Sequence, residues 1–174
     1  MIRKTTFPTL NQAVLLTAGV SAALLIGAHI FEYLGYAPCD LCLKQRLPHW
    51  VNIAIGILAL IVLWRGMKNI ALLLLLGMAG ALSTTAAIAA YHVGVEQKWW
   101  QGPSACSANT FDANVSVDDL LAQIQGSVVI PCDQATWSLF GISMAGYNFL
   151  ISMAAVLFAL WAILRIKGHD QAAR

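Results

Sequence analysis

Two cysteines, Cys39 and Cys42, stand three positions apart in the string Ala37-Pro38-Cys39-Asp40-Leu41-Cys42-Leu43-Lys44-Gln45-Arg46-Leu47-Pro48-His49-Trp50. That spacing allows a small, reducible disulfide. Arg46, four residues past the second sulfur, would favour its thiolate, the reactive form. Two further cysteines, Cys106 and Cys132, lie far along the chain. Thiol–disulfide exchange passes electrons between such pairs by thiolate attack. Four cysteines admit three pairings and the sequence does not choose among them. Cys39–Cys42 with Cys106–Cys132 is the working expectation. The second pair would close a loop of about 25 residues, a constraint worth roughly 3–4 kcal/mol in the chain-entropy picture.

The elements that must position these sulfurs belong to a membrane protein. The 174 residues are 59% hydrophobic and only 10% charged, with mean hydropathy +0.72. Soluble domains carry about 25% charged residues, so this chain has too few polar side chains to cover a water-facing surface. A net charge of +2 leaves no footprint for nucleic acid, and none is expected as a partner. Apolar runs place spans at about 13–31, 47–64, 70–93 and 139–164 in a single domain. Each is long enough to cross a hydrocarbon core of roughly 30 Å. The first run exceeds the usual apolar core of a cleaved signal peptide, so it is expected to stay as a span. The fold class expected is therefore an all-α, four-helix transmembrane bundle.

The second span is expected to start near residue 47, with Pro48 in its first turn and the cysteine pair in the preceding loop, 32–46. Gly94 is the expected C-cap of the third span. The long polar segment 94–138 holds Trp99, Trp100 and Trp137, which suit a membrane–water boundary. Within it, Ser116-Val117-Asp118-Asp119 resembles a capping box. Val117, Leu120, Leu121 and Ile124 follow helical spacing up to Gly126, predicting a short amphipathic helix.

Basic residues sort by side. Arg3, Lys4, Arg65, Lys68, Arg165, Lys167 and Arg174 fall on one side; Lys44, Arg46 and Lys98 fall on the other. The basic excess marks the cytoplasmic face, so both termini are expected inside and both cysteine loops outside. All four cysteines then occupy the oxidising compartment, the periplasm in a Gram-negative bacterium. A pair at the membrane edge can reach something dissolved in lipid, and a lipid-soluble two-electron acceptor is a quinone. Static disulfides, a zinc site or an electron flow in the reverse direction are the competing readings. Zinc would call for a second close cysteine pair, or histidines near Cys106 and Cys132 in the sequence; no metal is expected. A c-type haem would need His in place of Leu43.

The string from Cys39 to Pro48 resembles the signature of the DsbB family of disulfide-bond-forming membrane proteins. So does Pro131-Cys132-Asp133-Gln134-Ala135-Thr136-Trp137-Ser138-Leu139-Phe140-Gly141-Ile142-Ser143-Met144-Ala145-Gly146-Tyr147-Asn148, and the span plan agrees along nearly the whole chain. The resemblance implies a bacterial inner-membrane thiol oxidase whose partners are a DsbA-like periplasmic protein and a membrane quinone, ubiquinone or menaquinone. It implies catalytic roles for all four cysteines: the partner attacks Cys106, Cys132 then attacks Cys39, and Cys42 is freed beside the quinone. It further implies that Arg46 and His92 bind the quinone. His49 is expected to be a bystander, Gln45 has no assigned role, and Trp50, Tyr91, Trp99 and Trp100 are expected to anchor the membrane interface.

Overall fold

The computed structural model describes residues 8–103 and 131–172. Its helices are α1 (Leu10–Tyr33), α2 (Asp40–Trp64), α3 (Lys68–Glu96) and α4 (Met144–Ala172). A hairpin of β1 (Ser138–Leu139) and β2 (Ile142–Ser143) precedes α4. All four helices are long and apolar enough to cross a membrane, with mean hydropathy from 1.9 to 2.3. The expected amphipathic helix of 116–126 lies outside the described residues.

The bundle is built around α3, which packs mainly against α2 and α4, while α1 lies chiefly against α2. Small residues let the helices approach closely where water offers no driving force. Ala13, Ala59, Ala71, Ala159 and Ala162 are fully buried. A methyl group on Gly56 would stand 2.9 Å from the Ala18 side chain, so α1 and α2 touch there almost backbone to backbone. Leucines and isoleucines such as Leu15, Ile26, Leu73 and Leu157 point outward, as lipid-facing positions require.

Several boundaries differ from expectation, each for a local reason. Helix α2 starts at Asp40 rather than near residue 47, because Cys39 acts as its N-cap: the Cys39 sulfur accepts from the Cys42 backbone N–H. Cys42 and Arg46 are thus helical, and Pro48 sits inside the helix rather than in its first turn. Gly94 is not a cap; α3 runs through it to Glu96. The indole of Trp100 lies where a Gly94 side chain would be, so the missing Cβ makes room for a ring. The fourth helix begins at Met144, not Leu139, because the chain first reverses through Phe140 and Gly141. Both take positive φ, 51° and 78°, the pattern of the two-residue turn that matches strand twist. Its C-terminal end continues as helix to Ala172, through most of the expected tail. The tight turn between α2 and α3 is as expected. Gly66, at φ 76°, lets the Met67 N–H reach back to the Val62 carbonyl.

Candidate functional site

The N-terminus of α2 carries both sulfurs of the pair. Cys39 is buried and Cys42 half-buried; neither is in a disulfide. The Cys39 thiol donates to the Cys42 sulfur across 2.8 Å. That hydrogen bond and, second, burial push the Cys39 thiol well above the ordinary cysteine range. The shared proton therefore rests on Cys39, and Cys42 is placed as the acceptor, the position a thiolate takes.

Behind Cys39 stands His92 of α3. Its Nε2 lies 3.6 Å from the Cys39 sulfur and 3.8 Å from Glu96 Oε1 one turn further on. The Glu96 side chain is 7% exposed, and its other carboxyl oxygen has no partner among the described residues. Cys132 arrives at the same point from the distant loop. Its sulfur, the Cys39 sulfur and a His92 ring nitrogen all lie within 4.8 Å of one another. Cys132 is fully buried and disulfide-bonded. Cys106 lies outside the described residues. Two cysteines and a histidine are also metal-donor types, but a disulfide sulfur lacks the thiolate charge that binds zinc.

In front of Cys42 opens an apolar cavity of about 310 Å³ between α1, α2, α4 and the hairpin. Phe31, Leu25, Trp137 and Ile151 supply apolar wall; Cys42, Arg46, His49 and Asn148 supply polar groups. Trp137 is held in that wall by ring contacts with Phe31 at 4.9 Å and Tyr147 at 6.1 Å. Arg46 does not trail free to the interface. Its Nη1 donates to Glu32 of α1 at 2.7 Å and its Nη2 to the Ala28 carbonyl at 3.5 Å, leaving the side chain 14% exposed. His92 does not line the cavity; Gln45 stands between, with its Nε2 2.9 Å from His92 Nδ1.

Sequence reasoning undervalued the inner wall. His49, expected to be a bystander, is buried, lines the cavity and meets Asn148 Oδ1, Thr85 Oγ1 and Ser21 Oγ at 3.0, 3.3 and 3.0 Å. Asn148 in turn donates to Gln45 Oε1 at 2.6 Å. A signal was present: Ser21, Asn52, Thr85 and Asn148 are polar residues within apolar spans, where each needs an internal partner. Trp100 stacks on Tyr91 and donates to the Tyr91 carbonyl, and the Tyr91 hydroxyl donates to the Gln101 carbonyl. Those aromatics tie the start of the long loop to α3.

The family described as "Disulfide bond formation protein DsbB" matches residues 10–162. The chain is 28% identical over 172 residues to Disulfide bond formation protein B of Saccharophagus degradans, covering 92% of this chain and 97% of that protein. It is 30% identical over 165 residues to Disulfide bond formation protein B 1 of Burkholderia lata, covering 87% and 89%. It is also 29% identical over 159 residues to a Rickettsia prowazekii protein described as uncharacterised, covering 90% and 88%. No solved structure matches the chain at comparable significance.

Proposed function

The chain belongs to the DsbB family of disulfide bond formation proteins, and on that footing we propose that it reoxidises a periplasmic DsbA-like dithiol protein at the expense of a membrane quinone. The observation that carries this reading is the position of the Cys39–Cys42 pair. One sulfur meets Cys132 from the long loop, and the other faces a cavity between the helices.

The proposed relay uses the chain's own groups in order. A partner thiolate attacks Cys106 and releases Cys132. The Cys132 thiolate attacks the Cys39 sulfur of a Cys39–Cys42 disulfide. A Cys39–Cys132 bond forms, and the electron pair of the broken bond leaves on Cys42. The convergence of Cys132 and Cys39 within 4.8 Å supports that transfer. Cys42 gains its thiolate in the first turn of α2, where the helix dipole favours negative charge.

The cavity fits a quinone headgroup in size and chemistry. Ligand sites typically run from about 300 to 1,000 Å³ and are mostly apolar with a few placed polar groups. A bound quinone, ubiquinone or menaquinone, would supply the two-electron sink. Phe31 and Trp137 would flank its ring, and the Arg46 guanidinium would face a carbonyl and stabilise negative charge there. The basic residues at the opposite end of the bundle support a bacterial inner-membrane placement, with the cysteines periplasmic.

The test mixes purified protein, a reduced DsbA-like partner and a quinone, and follows thiol loss and quinol formation together. Two thiols lost per quinol formed is the expected result. Thiol loss without quinol, or quinol consumed while thiols appear, would overturn the reading. Orientation is checked separately with a membrane-impermeant thiol reagent. A cysteine placed at Asn109 should label from the periplasm and one at Met67 should not.

A further inference from the structure

The polar side chains buried among these apolar helices have their hydrogens arranged in one direction, and a backbone atom fixes that direction. Asn52 Nδ2 donates to the Thr17 carbonyl at 3.1 Å, which can only accept. The same Nδ2 donates to Ser21 Oγ at 2.6 Å. With that hydrogen bond received, the Ser21 hydroxyl gives its own hydrogen to His49 Nδ1 at 3.0 Å. A neutral imidazole whose Nδ1 accepts carries its proton on Nε2. His49 Nε2–H therefore donates to Asn148 Oδ1 at 3.0 Å. Asn148 Nδ2 donates to Gln45 Oε1 at 2.6 Å, and Gln45 Nε2 donates to His92 Nδ1 at 2.9 Å.

A second, independent anchor gives the same direction. The Thr85 hydroxyl donates to the Gln45 carbonyl at 3.0 Å, spending its only hydrogen. Thr85 Oγ1 must then accept from its other neighbours, Asn148 Nδ2 and His49 Nε2, both at 3.3 Å. Ser152 Oγ also donates to Asn148 Oδ1, at 3.1 Å, in keeping with that orientation of the amide.

We infer that Asn52, Ser21, His49, Asn148 and Gln45 form one directed chain of hydrogen bonds that fixes His92 as an Nε2–H donor toward the Cys39 sulfur. These are positioning residues; only His92 touches a reacting atom. Nor is the chain a proton wire. It passes through amides, which do not readily exchange protons, and it starts at Asn52, whose Oδ1 has no partner among the described residues to feed it. Its product is a tautomer. The Nε2–H of His92 is held facing Cys39, with Glu96 and the Cys132 backbone as its other neighbours.

The step served follows from the relay proposed above, on which this role rests. The partner's second thiolate first attacks the mixed disulfide, closing the partner's own disulfide and leaving the electron pair on Cys106. The Cys106 thiolate then attacks Cys132: a Cys106–Cys132 bond forms, the Cys39–Cys132 bond breaks, and the electron pair leaves on Cys39. A donor fixed at that sulfur stabilises the departing thiolate; an imidazole of the other tautomer would present a lone pair to it.

Two measurements test the chain, and neither needs quinone or partner. The first is side-chain ¹⁵N NMR of the histidines in the purified full-length protein. His49 and His92 should both appear as Nε2–H tautomers. In Asn148→Leu, His92 should become a mixture of tautomers while His49, still receiving from Ser21, stays as it was. In the double variant Ser21→Ala, Thr85→Val, which removes both anchors, His49 is the residue that should lose its single tautomer. A His92 held as Nδ1–H in the unaltered protein, or an Asn148→Leu variant with His92 unchanged, would overturn the inference.

The second measurement traps the Cys39–Cys132 disulfide in a Cys42→Ser, Cys106→Ser background and follows its cleavage by a small dithiol. Release of Cys39 should slow roughly tenfold when Asn148→Leu is added, the scale of one lost hydrogen bond. An unchanged rate would remove the proposed role. If that disulfide does not form at all, the relay order fails instead, while the NMR signals still judge the chain of bonds by themselves.

Discussion

Arg46 of α2 donates to Glu32 of α1 across 2.7 Å, at the mouth of the cavity that Cys42 lines. An ion pair with an exposed carboxylate adds little stability. Its consequence is positional: the guanidinium is turned toward the cavity instead of extending to lipid headgroups. Arg46→Gln should therefore raise the quinone KM and slow turnover, about tenfold or more, because the charge facing the developing oxyanion is lost. Arg46→Lys should be intermediate, having charge without the planar fork. Glu32→Gln should shift KM in the same direction by a smaller factor, since the cation remains but is less firmly held. Steady-state turnover against quinone concentration checks all three. Equal KM values across the series would make Arg46 an interfacial anchor and misplace the quinone site.

The loop cysteines make an ordered prediction. With Cys132→Ser, Cys106 is left as a thiol. Mixed with the oxidised partner, its thiolate attacks the partner's disulfide, a Cys106–partner bond forms and the electron pair leaves on the partner's second sulfur. The Cys132 thiol that would resolve this mixed disulfide is missing, so it should persist many times longer than in the unaltered protein. Peptide mapping should find the partner on Cys106. Partner bound to Cys39 in this variant would reject the relay order.

The Cys39 thiol makes a pH prediction with a definite sign. Its proton is held by the hydrogen bond to Cys42 and by burial, with His92 and Glu96 as the other ionisable groups beside it. A raised thiol pKa favours the neutral form, and thiolate appears only as pH climbs past the ordinary cysteine range. In the fully reduced protein, alkylation of Cys39 should thus be slow at pH 8 and still rising above pH 9. Removing the first cause with Cys42→Ala should speed it at pH 8. Mass spectrometry of a timed alkylation series gives the rates. A Cys39 that alkylates at pH 8 as fast as an unhindered model thiol would contradict the geometry.

Gly94 carries a stability prediction. Its missing side chain makes room for the Trp100 ring, which stacks on Tyr91 with centroids 5.9 Å apart. Gly94→Ala forces that ring away, and overpacking of this kind costs about 1–3 kcal/mol. The midpoint of thermal unfolding in detergent should fall, and Trp fluorescence should shift as the ring leaves its stack. Adding Trp100→Ala should recover part of the loss, because the clash is then gone.

What the sequence by itself determined is what depends on local chain properties. Apolar length fixed the four spans, because a helix must satisfy its own backbone in lipid. The Cys39–Cys42 spacing marked the redox pair, and the position of Cys132 in a recognisable string marked the second one. Tertiary structure decided which polar side chains meet. His49 of α2, Asn148 of α4, Thr85 of α3 and Ser21 of α1 converge only because four helices present those faces to one another. A helix that is apolar on every side, against lipid as against protein, carries no amphipathic stripe to show which face turns inward. For the same reason the sequence could point to Arg46 but not to Glu32, and could not place His92 behind Cys39. The start of α2 was missed on different grounds. Its cap is a cysteine sulfur rather than one of the oxygen side chains that usually announce a helix N-terminus, and that cap becomes visible only once the Cys42 N–H is seen to point at Cys39.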